Sequence, residues 1–437
     1  MNRRTFLRQT GVTLGSASLA PALLHTLPAA AATPHSTSLA TWADVRSQFI
    51  LDHRNIQMSQ MLLAAHPRSV RDAIKRHQQA LDTDPAVTWE EHWIDYEEAV
   101  LEAAASYMGC DRGEVGLTGS TTEGMALLLN GFRLQAGDEV LSTTHDHYIT
   151  DKSVDYACAK RGATVHRIAE YDDPRTVSTD EVVSRIISAI SDRTRLVVVT
   201  WVHSCTGVKL PVRAIADALQ EMNARRSERD RIYLLVDGVH GFGNQAETVG
   251  SLGCDFFAAG THKWIFGPRG TGVVFGSKQA WHMIEPTVPT FRMHPYQAWM
   301  QDPMDGEPTF TDLMTPGGFH SFAYRWALKE AFEFQLELGR DRVHARTTQL
   351  NTRLKEGLED MSHVHLHTPL DPTLSAGINC FQIGQHSAMD LVAAFHARRI
   401  IASASPYRVS YARLTPCIIN TEEEVDRCLQ AVAGIKA

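Results

Sequence analysis

The sequence predicts an α/β fold: a large domain on a mostly parallel sheet of seven strands, then a smaller C-terminal α+β domain. Three observations carry this. Short runs rich in β-branched and aromatic residues recur from Val115 onward, and helical patterns separate most of them. Buried strand runs alternating with helices imply a mostly parallel sheet covered on both faces. At 437 residues the chain is also too long for one small core.

In order, the arm and helices of residues 33–110 precede the large domain at 111–320. Strand runs fall at 115–118, 139–143, 163–168, 196–201, 232–236, 256–258 and 272–275, with helical patterns at 122–132, 149–160, 179–190 and 212–224 between them. Prolines recur over 286–316 among several aromatics, which predicts a long ordered loop near the site. One long helix is expected over 321–360. The rest of the smaller domain (321–437) reads as strands at 364–367, 377–382 and 408–413, with a last helix over 421–432.

Composition excludes several functions. Apolar residues make up 43% and charged residues 21%, as in ordinary globular proteins, and the formal net charge of −8 with no long basic run argues against nucleic acid. The seven cysteines lack CxxC spacing, so neither a disulfide framework nor a metal site is expected. The first 32 residues stand apart. Asn2-Arg3-Arg4-Thr5-Phe6-Leu7-Arg8 matches a twin-arginine export signal, an uncharged stretch to Leu27 follows, and Ala29 to Ala32 offer an A-x-A cleavage site. The apolar part is short and interrupted by His25, so no stable membrane span is expected after cleavage. The signal implies passage of a folded chain through the twin-arginine translocase to the periplasm.

Four segments carry chemistry. Thr118-Gly119-Ser120-Thr121-Thr122-Glu123-Gly124, between a strand and a helix, offers free backbone N–H groups and hydroxyls suited to a phosphate, although ordinary helix capping would look the same. Asp237 ends the apolar strand Leu234-Leu235-Val236, at the edge where parallel sheets bind ligands; alternatively it caps the next helix. Lys263, in Gly260-Thr261-His262-Lys263-Trp264, enters a glycine-rich turn between apolar strands. A buried lysine is costly unless its charge is removed or paired, and an imine with an aldehyde cofactor solves that problem. Thr144-His145-Asp146-His147-Tyr148 offers an imidazole to stack on a ring, or simply a loop histidine.

In the order phosphate loop, stacking His, Asp and Lys, the chain resembles class V aminotransferases of pyridoxal phosphate (PLP) fold type I. That group includes cysteine desulfurases, kynureninase and isopenicillin N epimerase-like proteins. Asp237-Gly238-x-His240 with Thr261-His262-Lys263-Trp264 carries the resemblance. It implies that Lys263 binds the PLP aldehyde, that Asp237 pairs with the pyridinium nitrogen and that His147 rather than His145 stacks on the ring. It further implies that Thr121 and Thr122 bind the phosphate, with Thr261 and His262 closing its far side, and that His240 and Ser204 lie near the phenolic oxygen. Thr315, in Thr315-Pro316-Gly317-Gly318, matches a loop that reaches the neighbouring subunit's phosphate in a homodimer. Arg413 matches the arginine that holds the substrate α-carboxylate, its alternative being a salt bridge.

The reaction is less constrained. Residues 400–407 lack the cysteine that desulfurases carry shortly before the C-terminal arginine, so persulfide chemistry is not expected. Export signal, length and lysine motif together resemble the periplasmic pyoverdine-maturation members of the family, which convert a peptide-borne glutamate into a succinamide. In that reading Arg292, with His294 and Tyr296, walls a large substrate. An aminotransferase or epimerase of free amino acids is the alternative.

Overall fold

The computed structural model describes residues 39–302 and 304–436, so the export-signal segment lies outside the described residues. The thirteen strands described are β1 (Ile56–Gln57), β2 (Val115–Thr118), β3 (Glu139–Thr143), β4 (Thr164–Ile168), β5 (Thr194–Thr200), β6 (Tyr233–Asp237), β7 (Phe256–Gly260), β8 (Gly272–Gly276), β9 (Val364–Leu366), β10 (Asn379–Ile383), β11 (Ile400–Ile401), β12 (Ser403–Ala404) and β13 (Ala412–Leu414). The large sheet has the order β2-β8-β7-β6-β5-β3-β4. Only β8 runs antiparallel to its neighbours.

The apolar runs form this sheet because both of its faces are covered. Leu196 and Val198 of β5 join one buried cluster, with the helices Thr121–Gly131 and Tyr148–Arg161, while Val197 and Val199 join the other. This period of two is that of a strand, and each fully buried Val or Leu contributes roughly 1.5–3 kcal/mol by leaving water. The second cluster is closed by Pro85–Met108, Val212–Asn223 and Leu328–Leu338.

Because β8 alone is reversed, the C-terminal ends of β2, β3, β5, β6 and β7 all reach one edge of the sheet. The chain goes outward from β3 to β4, then returns to lay β5 on the other side of β3. Such a reversal leaves a crevice at the strand ends.

The smaller sheet is antiparallel, in the order β12-β13-β10-β9, over a core that includes Leu350, Phe381 and Phe395. The arm pairs beside it in a separate two-stranded parallel sheet, β1–β11. The helix expected over 321–360 is three helices, Phe322–Trp326, Leu328–Leu338 and Arg340–Glu359. Gly339, at φ 81°, turns the chain between the last two, a break that continuing apolar periodicity hides. The segment 286–316 is not a plain loop, since Met293–Trp299 and Phe310–Met314 are helical.

Candidate active site

An open cavity with about 760 Å³ of empty space, part of it open solvent, lies on the C-terminal edge of the large sheet. It is lined by Ser120, Thr121, Thr122, His147, Ser204, Asp237, His240, His262, Lys263, Tyr407 and Arg413, among others. They come from the ends of β2, β3, β5, β6 and β7 and from the smaller sheet with its β12–β13 loop, so the fold converges what the sequence scatters.

After β2, Ser120 caps the helix Thr121–Gly131, its hydroxyl accepting from Glu123 N at 3.1 Å. The amides of Thr121 and Thr122, at the first helical positions, have no intrahelical acceptor and face the cavity end of the helix dipole. Thr121 Oγ1 accepts from Gly260 N at 2.7 Å, which ties this helix to β7 and leaves the hydroxyl proton to donate. Glu123 accepts from Gly119 N and fixes the loop from behind.

After β3, His147 caps the helix Tyr148–Arg161, its Nδ1 accepting from Ile149 N at 3.3 Å. That leaves the proton on Nε2. Burial, opposed by Asp237, keeps the imidazole below its ordinary pKa and therefore neutral near pH 7. One turn on, Thr150 donates to Asp237 Oδ2 at 2.9 Å, and Val239 N donates to Oδ1 at 3.3 Å. Burial raises the Asp237 carboxyl, and these two donors, with Lys263 and His147, only partly offset it. A cationic partner is what would keep it ionised. Gly238 follows because a Cβ there would lie 1.9 Å from the Phe257 ring.

After β7, the turn bearing Lys263 closes with Phe266 N donating to Lys263 O at 3.0 Å. Phe266 sits at φ 58°, a conformation that costs a bulky residue of order 1–3 kcal/mol and is held here by burial of its ring against Phe49. Lys263 Nζ lies 3.1 Å from His240 Nε2. Burial lowers the amine to about 8, with Asp237 opposing and Arg413 reinforcing the shift. Near neutrality a useful fraction is therefore uncharged and nucleophilic. Burial also drives His240 well below its ordinary value and His262 down to about 4, so both are neutral.

Arg413 is 2% exposed. It donates to Ser204 O at 3.0 Å, Ala404 O at 2.8 Å and Ser403 Oγ at 3.2 Å, and among the described residues it meets no carboxylate. A buried guanidinium held by neutral groups alone is a built receptor for a carboxylate. We expect Arg413→Lys, which keeps the charge but loses the planar fork, to cut kcat/KM by about 10–100-fold. A substrate whose carboxylate is replaced by a carboxamide should be nearly insensitive to that change, as steady-state kinetics on both would reveal.

Three sequence-derived site residues lie elsewhere. Thr261 is buried with its hydroxyl bonded to Thr271, behind the turn rather than in the cavity. Thr315 accepts from Leu117 N at 3.2 Å and faces β2 of its own chain. Arg292, expected to wall a large substrate, lies outside this cavity in its own chain. It is buried against Glu98, Glu97 and Asp312, so its charge is already compensated, and it lines a separate pocket with Trp89 and Trp93.

Sequence reasoning missed Tyr407 and Thr150. The Tyr407 hydroxyl lies 2.9 Å from Ser204 Oγ and its ring meets His147 edge-on at 5.8 Å, but nothing local to residue 407 announces a partner 203 positions away.

A phosphate-ready helix start, a buried carboxylate lacking a cation and a partly neutral amine are all engaged at once by a cofactor with a phosphate, a basic ring nitrogen and an aldehyde. His240 Nδ1, buried with no partner among the described residues, is a further polar atom that such a ligand would satisfy. The protein is accordingly of the pyridoxal phosphate-dependent class, fold type I. It belongs to the aminotransferase class-V family, whose model matches residues 75–428.

Isopenicillin N epimerase of Streptomyces clavuligerus is 26% identical over 91% of this chain and 99% of its own. A cysteine desulfurase of Klebsiella pneumoniae is 25% identical over 78% and 81%. Among solved structures, a C-DES variant with glycine covalently linked to its PLP cofactor superposes with a TM-score of 0.80 at 21% identity, covering 89% of this chain and 99% of that one. The apo cysteine desulfurase of Thermococcus onnurineus gives 0.75 at 18%, covering 90% and 97%.

When bound, pyridoxal phosphate supplies an aldehyde for amines and a protonated ring that draws electrons from the substrate's Cα. Of this chain's residues, Lys263 would hold the aldehyde end and move the proton at Cα, Asp237 would hold the proton on the ring nitrogen, and His147 would cover the ring. Ser120 to Thr122 and His262 would hold the phosphate, and Arg413 the substrate carboxylate.

Proposed function

We propose that the protein is an exported enzyme acting on the α-amino group of an amino-acid head, and that it tailors a secreted siderophore peptide. The observation that carries this is Arg413. It is the one buried cation of the cavity besides Lys263, and it shares the space with Met61, Leu62, Pro406 and Tyr407, which supply neutral walls. Such a site suits a head with a free amine and one free carboxylate whose side chain continues into a larger group.

The export signal, chain length and lysine motif support a role like that of the periplasmic pyoverdine-maturation enzyme PvdN, with glutamate converted to succinamide. No helix among the described residues is long and apolar enough to cross a membrane. A homodimer with shared active sites belongs to the same reading. Phe319, 77% exposed close to Thr315, and Trp299, 76% exposed, are apolar surface of the kind that marks interfaces.

The second reading is an aminotransferase or epimerase of free amino acids, favoured by the full-length likeness to isopenicillin N epimerase. Persulfide transfer is disfavoured. None of the seven cysteines lines the cavity, and burial pushes the thiols of Cys205 and Cys380 up to about 12, where no useful thiolate forms.

The test incubates purified protein, loaded with pyridoxal phosphate, with a siderophore precursor carrying a terminal glutamate, and follows its mass. A mass change at the glutamate is the expected outcome. An unchanged precursor, with free amino acids turned over, would favour the second reading.

A further inference from the structure

Behind the cavity, outside its lining, lies a polar cluster that the chemistry above does not use. Glu170, two residues past β4, has no solvent exposure. Its Oε2 lies 2.8 Å from His145 Nδ1 and its Oε1 lies 3.1 Å from His203 Nε2. His145 stands two residues before His147, in the loop after β3. His203 stands immediately before Ser204, in the loop after β5.

We propose that Glu170 is a positioning residue, a single buried carboxylate that fixes these two loops to each other and so sets His147, Ser204 and Arg413 around the cofactor.

The hydrogen bonds run in one consistent direction. Tyr171 Oη lies 3.0 Å from His203 Nδ1 and 2.9 Å from Thr206 Oγ1. With Thr206 donating to Tyr171 and Tyr171 donating to His203 Nδ1, the His203 proton is on Nε2, which faces Glu170 Oε1 at 3.1 Å as a close polar contact without hydrogen-bond geometry. His145 Nδ1–H donates to the other oxygen. A carboxylate, acceptor-only at both oxygens, is the one group of this size that suits two imidazole donors. The Tyr171 ring also stacks on His145 at 4.0 Å between centroids.

The electrostatics agree. Burial alone would raise the Glu170 carboxyl, yet His203 and His145 hold it below its ordinary value, so it stays ionised. Burial lowers His203, and the Glu170 charge opposes that shift.

Each tether ends in the cavity. The Ser204 hydroxyl meets Tyr407 and its carbonyl accepts from Arg413, so a shift of the His203 turn moves the carboxylate receptor. On the other side the backbone between His145 and His147 is pinned at Asp146, which accepts from Thr143 N, Ser142 and Thr200. Loosening His145 therefore removes one of the two anchors, with Asp146, of the loop that leads into His147.

The test uses pyridoxal phosphate itself as the probe, with Glu170→Gln and Tyr171→Phe in the full-length protein. The amide presents N–H to one of the two imidazoles, which must either give up that contact or shift its proton to the other ring nitrogen. For Glu170→Gln the dissociation constant for pyridoxal phosphate should rise by about tenfold or more. The pH midpoint of the bound cofactor's visible band should move by roughly half a unit or more.

Tyr171→Phe keeps the ring stack but frees His203 Nδ1, so smaller shifts in the same direction are expected. A variant with a lower melting temperature but wild-type affinity and midpoint would overturn the proposal, because a purely structural carboxylate behaves that way. If Glu170→Gln fails to fold, Tyr171→Phe decides alone, and an unchanged midpoint in that variant sinks the idea.

Discussion

Lys263→Ala is expected to lose turnover almost entirely while the chain still folds and still retains some pyridoxal phosphate. The amine acts twice, holding the aldehyde end of the cofactor and carrying the proton at Cα. The second role alone is worth about 10²–10⁴-fold in rate. Folding should survive because the turn around residue 263 is held by backbone contacts, Phe266 N to Lys263 O and Gly267 N to Thr261 O, that an alanine preserves. Removing a buried amine also removes the burial cost that lowers it to about 8.

Retention of cofactor should follow from the amides and hydroxyls of Ser120 to Thr122, which the substitution does not touch. The visible band should disappear, and hydride reduction followed by peptide mapping should leave no pyridoxyl group on the chain. In the wild type, capture of added pyridoxal phosphate should quicken as pH rises through about 8, because the unprotonated amine is the nucleophile. Full activity in Lys263→Ala, or a pyridoxyl adduct at another lysine of the wild type, would overturn the assignment.

Much of this was legible in the sequence because the signals are local. The seven strand runs, the capped loop after β2, the aspartate closing an apolar strand and the lysine in a glycine-rich turn are each set by a few neighbouring residues, and all of them lie on the edge where the strands end. What escaped is set across the chain. Asp237 receives its hydrogen bond from Thr150, 87 positions earlier, and Glu170 reaches forward to His203 and back to His145.

The surroundings of Arg292 are set across the chain in the same way. An arginine among prolines and aromatics looks free until Glu97 and Glu98, on a helix nearly two hundred residues earlier, are brought against it. The helix over 321–360 was read as one because its apolar spacing continues through Gly339, and only the positive φ there separates two packed helices. The pairing of β1 with β11, two residues each, carries too little pattern to be found in advance.

Asp237→Ala should be the second most damaging change, and its failure should be of a different kind. A carboxylate opposite a pyridine nitrogen raises that nitrogen's pKa by about 1–3 units, each unit being worth 1.36 kcal/mol. Without it the ring is largely unprotonated near pH 7 and withdraws electrons poorly, so turnover should fall about 10–1000-fold. Lys263 still condenses with the aldehyde, so the variant should remain coloured, in contrast to Lys263→Ala. Its affinity for pyridoxal phosphate should weaken, because Thr150 and Val239 N lose their acceptor and the ring loses its anchor.

A pyridoxal phosphate methylated at the ring nitrogen carries a fixed positive charge and fits the space the shortened side chain leaves. It should restore a substantial part of the Asp237→Ala rate while doing nothing for Lys263→Ala. If the methylated cofactor rescued neither variant, or if Asp237→Ala turned over at the wild-type rate with ordinary cofactor, this carboxylate would not be the group that protonates the ring. Its buried bonds to Thr150 and Val239 would then be structural alone.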